Sequence, residues 1–98
     1  MEKQKSYKCK ITVVRKLFHE DLYAEYPYSV PESCGRFEVG QEFITSSPWD
    51  PPEGFCTWAW ADLRPMIHAK HAGDPTTMIS CCTDGLRPVL FKLELVED

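Results

Sequence analysis

The sequence predicts a small α+β protein, in which a mostly antiparallel sheet of four to five short strands packs against one main helix. Three observations support this fold class. Apolar residues alternate along 7–15 and again along 87–96, which is typical of half-buried strands. The later strand follows Asp84-Gly85, a dipeptide that favours a β-hairpin turn. Between these regions, residues 57–72 carry the spacing of a helix.

The N-terminal half begins with the strand 7–15, whose apolar face consists of Tyr7, Cys9, Ile11 and Val13. On this face Cys9 is predicted to be a small buried hydrophobe, because free cysteine packs well in cores. Residues 19–26 favour one or two helical turns, since acidic residues suit the positive end of a helix and Pro27 stops it. Residues 37–45 are predicted as two short extended pieces bent at Gly40.

The main helix follows a loop rich in proline, and Thr57 is its predicted N-cap because a hydroxyl can accept a hydrogen bond from a free amide there. Pro65 interrupts the pattern. The prediction is therefore a short turn over 57–63 and a main helix over about 64–72. Gly73 is expected to close it.

The C-terminal end is predicted as a hairpin, with strands over 77–83 and 87–96 on either side of Asp84-Gly85. One face of the last strand is apolar and consists of Val89, Phe91, Leu93 and Leu95. No repeat, low-complexity tract or linker divides the 98 residues, so the chain is expected to form a single domain.

The charge balance argues against two classes of partner. Eleven Lys and Arg against fifteen Asp and Glu leave a net charge of −4, whereas binding to nucleic acid or an anionic membrane needs clustered positive charge. The N-terminal residues lack the apolar segment of a signal peptide, and no apolar run reaches the ~18 residues of a membrane span. A cytoplasmic location is therefore expected, where thiols stay reduced.

The five cysteines cannot all pair within one chain, because their number is odd. In a reducing compartment they are expected in the core, at a metal or in catalysis. Four of them fall in or beside predicted loops and turns: Cys34, Cys56, Cys81 and Cys82. They form no Cys-x-x-Cys pair, so the metal signal is weak. They do, however, occupy a loop, a helix start and a strand end, which are places where separate segments can converge.

Three functional hypotheses follow from this pattern, and the first is a metal or iron–sulfur site. Its candidate ligands are Cys34, Cys56, Cys82 and, as a further candidate, Cys81. Soft thiolates select zinc, iron or copper(I). Because neighbouring residues of a regular strand point to opposite faces, three thiols plus another ligand are favoured over four thiols. His68 or His71 could supply that ligand, although both also fit a solvated helix end.

The second hypothesis is a thiol-dependent redox or small-molecule enzyme. Cys56 is the predicted nucleophile, because the positive end of a helix dipole stabilises a thiolate. Trp58 and Trp60 would form the walls of the site, and Asp62 or Asp84 would accept a proton.

Both aspartates and two arginines also have structural interpretations. Asp84 suits a hairpin turn, and Asp62 could cap a helix that contains Pro65. Arg64 and Arg87 each precede a proline; they could pair with these carboxylates or bind an anionic ligand.

The third hypothesis is a non-catalytic interaction module. In it the cysteines fill a small core, and the tryptophan-rich turn is packing or a contact between copies in a homo-oligomer. The sequence has no Gly-rich phosphate loop, His-Glu-x-x-His or Gly-x-Ser-x-Gly motif, so a nucleotide enzyme or serine hydrolase has no local support.

Two segments, 54–62 (GFCTWAWAD) and 82–89 (CTDGLRPV), resemble the signatures of a family of short, uncharacterised bacterial and archaeal proteins. Segment 37–43 and the first strand are similar too, so the resemblance covers nearly the whole chain. It implies a stand-alone cytoplasmic domain and directs attention to Cys34, Cys56 and Cys82, but it implies no settled activity. The resulting geometric prediction is that the helix start and the hairpin turn meet in space, with Cys34 beside them.

Overall fold

The computed structural model describes residues 6–28 and 30–97. Its elements in chain order are β1 (Tyr7–Lys16), α1 (Glu20–Glu25), β2 (Glu42–Thr45), α2 (Thr57–His71), β3 (Met78–Cys81) and β4 (Val89–Glu97). The predicted α+β class is confirmed, with four strands in the described part of the chain. No helix there is long and apolar enough to cross a membrane.

The sheet has the order β2-β1-β4-β3, and every neighbouring pair is antiparallel. The two long strands form its centre, with a register from Tyr7 opposite Glu97 to Lys16 opposite Val89. The alternation of apolar residues sets this register, because a slip by one residue would turn the apolar face of a strand toward solvent. The predicted C-terminal hairpin is confirmed by the pairing of β3 with β4.

The core lies between this sheet and α2. Its largest part comes from the central strands and the helix, through Ile11, Val13, Val89, Phe91, Leu93, Leu63 and Ile67. Cys9 is fully buried among them, as predicted. Burial raises the pKa of its thiol to about 11, because a desolvated thiolate is disfavoured. Cys9 is therefore a packing residue.

A cluster of phenylalanines anchors two loops to the sheet. The ring centroids of Phe55 and Phe43 are 4.9 Å apart, and those of Phe37 and Phe91 are 5.2 Å apart. Phe37 and Phe55 come from irregular segments, so their rings fix the entry to α2 and the loop before β2. The prediction of two extended pieces over 37–45 is wrong in its first half: only β2 is a strand, and Gly40 has a φ of +93° in a turn.

The helix differs from the prediction, because it continues through Pro65 as one element. Proline cannot donate a hydrogen bond to the carbonyl of Ala61, but both residues are exposed and water can reach that carbonyl. The N-cap is Cys56, one residue before the predicted Thr57. Gly73 closes the helix with a φ of +101°, as expected.

The connection from β3 to β4 spans 82–88 and is longer than a two-residue Asp-Gly turn. Asp84 still organises it: its Oδ1 accepts hydrogen bonds from the backbone amides of Leu86 (3.1 Å) and Arg87 (3.0 Å). Leu86, in the middle of this connection, is buried, so its side chain packs the connection against the rest of the protein. The hairpin is therefore formed by a carboxylate-capped loop.

Candidate functional site

A cleft of about 510 Å³ lies where the segment after α1, the start of α2 and the β3–β4 connection meet. Its lining includes most of the predicted site residues: Cys34, Cys56, Trp58, Cys82, Asp84 and Arg87. We call it the thiol cleft. The helix start and the hairpin connection thus meet in space with Cys34 beside them, as the sequence predicts.

Cys56 reaches the thiol cleft from the N-cap of α2. Gly54 has a φ of +81°, and the amide of Phe55 donates to the carbonyl of Pro52 (3.1 Å) in the turn before the helix. Phe55 is buried and fixes the turn, so the next residue begins the helix at the edge of the core. The carbonyl of Cys56 accepts from the amide of Trp60 (2.9 Å), while its sulfur makes no capping hydrogen bond.

The loop that carries Cys34 is held in place by two cations. The Nζ of Lys16 donates to the carbonyl of Cys34 (3.1 Å). The guanidinium of Arg87 donates from Nε to the carbonyl of Glu32 (2.7 Å) and from Nη2 to that of Ser33 (3.2 Å). The Arg87 bonds join the loop 32–34 to the β3–β4 connection, and the Lys16 bond joins it to β1. Arg87 lines the cleft, and through these bonds it also positions Cys34, one of the three thiols of the cleft.

Cys82 directly follows β3 and still forms a backbone hydrogen bond with β4. Its amide donates to the carbonyl of Val89 (3.1 Å), and the amide of Val89 donates to its sulfur (3.4 Å). Cys82 is half-buried and lines the cleft, whereas Cys81 is exposed and lies outside it. The alternation of side chains along the strand therefore separates the two neighbouring thiols.

The two tryptophans of the helix start have different surroundings. Trp58 is 71 % exposed and lines the thiol cleft, whereas Trp60 is 6 % exposed and belongs to the core. The ring centroid of Trp60 lies 6.2 Å from that of Phe55. The prediction that both indoles form walls of one site therefore applies to Trp58 alone.

The two predicted aspartates also differ. Asp84 accepts a third hydrogen bond at Oδ1, from the hydroxyl of Tyr28 (3.1 Å), so its carboxylate joins the cleft rim to the hairpin connection. Asp62 lies inside α2 and caps no helix, since the helix is continuous through Pro65. Asp62 lines a smaller hollow of about 380 Å³, which shares Trp58 and Thr83 with the thiol cleft.

The histidines lie at the opposite end of α2. The ring of His68 packs edge-on against Trp49 (centroids 4.7 Å apart), and Nε2 of His71 is 2.6 Å from Oγ1 of Thr45. At about 1.5 Å per residue, His68 is roughly 18 Å along the helix from Cys56. Neither histidine is therefore close to the cleft thiols, and a metal site that combines one with them has no support among the described residues.

Among residues 6–28 and 30–97, no group of three or more His, Cys, Asp and Glu side chains is placed to hold a metal ion. The three thiols share a cleft without forming a ready coordination sphere. Metal binding at Cys34, Cys56 and Cys82 stays a prediction.

The lining residues that the sequence does not predict include Tyr28 and Arg36, whose side chains carry polar groups. Both come from the irregular stretch between α1 and β2, where no periodicity indicates which side chains face a common cavity. The position of Arg36, two residues after Cys34, was the only available signal.

Comparison of the chain with family models, with curated proteins and with solved structures gave no match. The family resemblance of segments 54–62 and 82–89 therefore stays a prediction.

Proposed function

We propose that this protein carries out thiol–disulfide exchange with small molecules in the thiol cleft, with Cys56 as the attacking thiol. The observation that carries the proposal is the convergence of Cys34, Cys56 and Cys82 from three separate segments on one cleft. A volume of about 510 Å³ suits a small organic ligand. In the cytoplasm that the sequence predicts, the thiols would start in the reduced form.

The reaction balances in two steps. The Cys56 thiolate attacks one sulfur of the ligand disulfide; the ligand's S–S bond breaks, and the other half leaves and takes up the proton that Cys56 released. A second cleft thiol, Cys34 or Cys82, then attacks the sulfur of Cys56 and expels the remaining half as a thiol. The ligand gains two electrons and becomes two thiols, and the two protein thiols become one disulfide.

Three features favour Cys56 as the first thiol to react. It lies at the N-cap of a 15-residue helix, beside the free backbone amides of the first turn. Its sulfur makes no capping hydrogen bond. The other two sulfurs accept hydrogen bonds from backbone amides, Cys34 from Arg36 (3.5 Å) and Cys82 from Val89 (3.4 Å).

The test compares reaction rates of individual thiols. The reduced protein is mixed with bis(2-hydroxyethyl) disulfide, quenched with acid at intervals, and the mixed disulfides are located by peptide mass mapping. Exposure alone predicts that Cys81 reacts first, because it is exposed while Cys56 is half-buried. We expect Cys56 to react first and the adduct to convert to an internal disulfide.

Two variants make the result specific. Cys56→Ser should abolish the fast phase, and the matched control Cys81→Ser should retain it. Reaction of Cys81 ahead of Cys56, or a fast phase that survives Cys56→Ser, would remove the proposal.

A soft metal ion is a second candidate for the same cleft, because the three thiols are ligands that zinc, iron and iron–sulfur clusters prefer. Binding would need the three segments to close until each sulfur lies ~2.3 Å from a common zinc ion. Metal analysis of untagged protein purified without oxygen tests it. One equivalent that is lost in both Cys34→Ser and Cys82→Ser would support the metal, and metal-free protein that does not take up zinc would exclude it.

A further inference from the structure

Two charged groups of opposite sign lie beside the thiol cleft and have no partner for their charge among the residues that the structure describes. Neither has a part in the exchange reaction. The first is Arg36. Arg36 lines the cleft and is exposed, and its backbone amide donates to Cys34 Sγ. In the described ranges its guanidinium has no hydrogen bond or ion pair. Arg87, by contrast, is engaged with the loop carbonyls of Glu32 and Ser33.

The second group is Asp62. Its Oδ2 is buried, and it has no hydrogen-bond partner within the residues that the structure describes. A buried carboxylate oxygen without a donor is unfavourable by an amount comparable to a lost hydrogen bond. Asp62 also lines the hollow beside the cleft, so a positively charged group bound in that hollow would be attracted to its carboxylate.

The two cavities adjoin. Trp58 and Thr83 line both of them and therefore form the ridge between the cleft and the hollow. The indole of Trp58 is 71 % exposed, so it offers a flat apolar surface over which an extended ligand can pass. A molecule that lies across this ridge would have the thiols and Arg36 on one side and Asp62 on the other.

We propose that the ligand is a small amino-acid disulfide, a molecule that carries a carboxylate and an ammonium group in addition to its S–S bond. Arg36 binds the carboxylate, Asp62 accepts hydrogen bonds from the ammonium group, and the sulfurs lie at the cleft thiols. This inference rests on the proposed exchange reaction and adds the class of substrate. Arg36 and Asp62 are then specificity-determining residues, and neither takes part in bond breaking.

Four disulfides that differ in charge provide the test. Cystine carries both groups, cystamine only the amine, dithiodipropionate only the carboxylate, and bis(2-hydroxyethyl) disulfide neither. The measured quantity is the rate of Cys56 mixed-disulfide formation with each compound, relative to its rate with free cysteine under the same conditions. This ratio removes differences in the intrinsic reactivity of the four disulfides.

In the parent protein, cystine should give the highest ratio. Arg36→Gln should lower the ratio about three- to fivefold, the size of an exposed ion pair, for the two compounds that carry a carboxylate. Asp62→Asn should lower it by a similar factor for the two that carry an amine. Both variants should change the ratio for the neutral disulfide less than the ratios for the charged compounds, and circular dichroism checks that they fold. Arg64→Gln and Glu53→Gln, exposed positions outside both cavities, are the matched controls.

The outcomes separate the two proposals. If the neutral disulfide shows no preference for Cys56, the exchange function itself fails. If Cys56 reacts first but the four ratios are equal, or if the controls change them as much as Arg36→Gln and Asp62→Asn do, the exchange function stands and the amino-acid substrate is wrong.

Discussion

Replacing Arg87 with glutamine should loosen the loop that carries Cys34. The guanidinium donates to the carbonyls of Glu32 (2.7 Å) and Ser33 (3.2 Å), and glutamine cannot reproduce this pair of charge-assisted bonds. A hydrogen bond from a charged group contributes about 1.5–3 kcal/mol, and the first of these is exposed to solvent. We therefore expect Arg87→Gln to lower the free energy of unfolding by about 2–3 kcal/mol.

The assay combines urea unfolding with thiol labelling. Because the loop 32–34 would lose its connection to the β3–β4 loop, Cys34 should be alkylated faster in Arg87→Gln than in the parent under native conditions. Arg87→Lys keeps the charge and should lie between the two. The matched control is Arg64→Gln, an exposed arginine that also precedes a proline and should change stability by less than about 0.5 kcal/mol.

The reasoning would be refuted if Arg87→Gln and Arg64→Gln had the same stability and the same rate of Cys34 alkylation. Unchanged labelling together with lower stability would show that Lys16 alone, through its bond to the Cys34 carbonyl, fixes the loop.

Three further predictions concern the core and the response to pH. Trp60→Ala should lower the free energy of unfolding by about 3–5 kcal/mol, because it leaves a cavity in the core. Trp58→Ala should lower it by about 0.5 kcal/mol or less, because Trp58 is exposed. Equal effects of the two variants in urea unfolding would contradict the different burial of the two side chains. The Cys9 thiol has its pKa raised by burial from its ordinary value of 9.0 to about 11, so the unfolded chain loses this proton first and stability should fall as the pH rises between these values. Unfolding measured across that range should show a weaker pH dependence in Cys9→Val, and identical slopes would refute the assignment. Burial, and then the charge of His68, hold the pKa of His71 below 6.5, so the unfolded chain binds the proton more readily and stability should fall as the pH drops below 6.5. His71→Gln should flatten this part of the curve, and an unaltered curve would exclude His71 as its source.

Much of the fold could be predicted because the strands have one buried face. Alternation along β1 and β4 identifies the inward residues, and the Asp84 turn signal joins the last two strands even though their connection is longer than expected. The helix was harder, since Pro65 is a local signal for a break. Leu63 and Ile67, on either side of it, are fully buried, and their packing keeps α2 continuous.

The site was predictable where segments end and unpredictable where the chain is irregular. Cys56 and Cys82 stand at the start of a helix and the end of a strand, and such positions meet at the edge of a sheet. Trp58 and Trp60 could have been separated from sequence, because residues two apart on a helix differ by about 200° in direction. Tyr28 and Arg36 lie in an irregular stretch whose path depends on long-range bonds, such as those from Arg87 to its carbonyls, and no local pattern indicates them.

The measurement that tests the central claim most directly is bridging of thiols by dibromobimane, a short reagent that becomes fluorescent when it joins two thiols. The Cys81→Ser variant serves as the background, because it removes the thiol next to Cys82. Convergence of three thiols on one cleft predicts rapid fluorescence, with bridged peptides that pair Cys34, Cys56 and Cys82 among themselves. Bridges that form only in urea, or that join Cys9 to another thiol in the native protein, would contradict the thiol cleft.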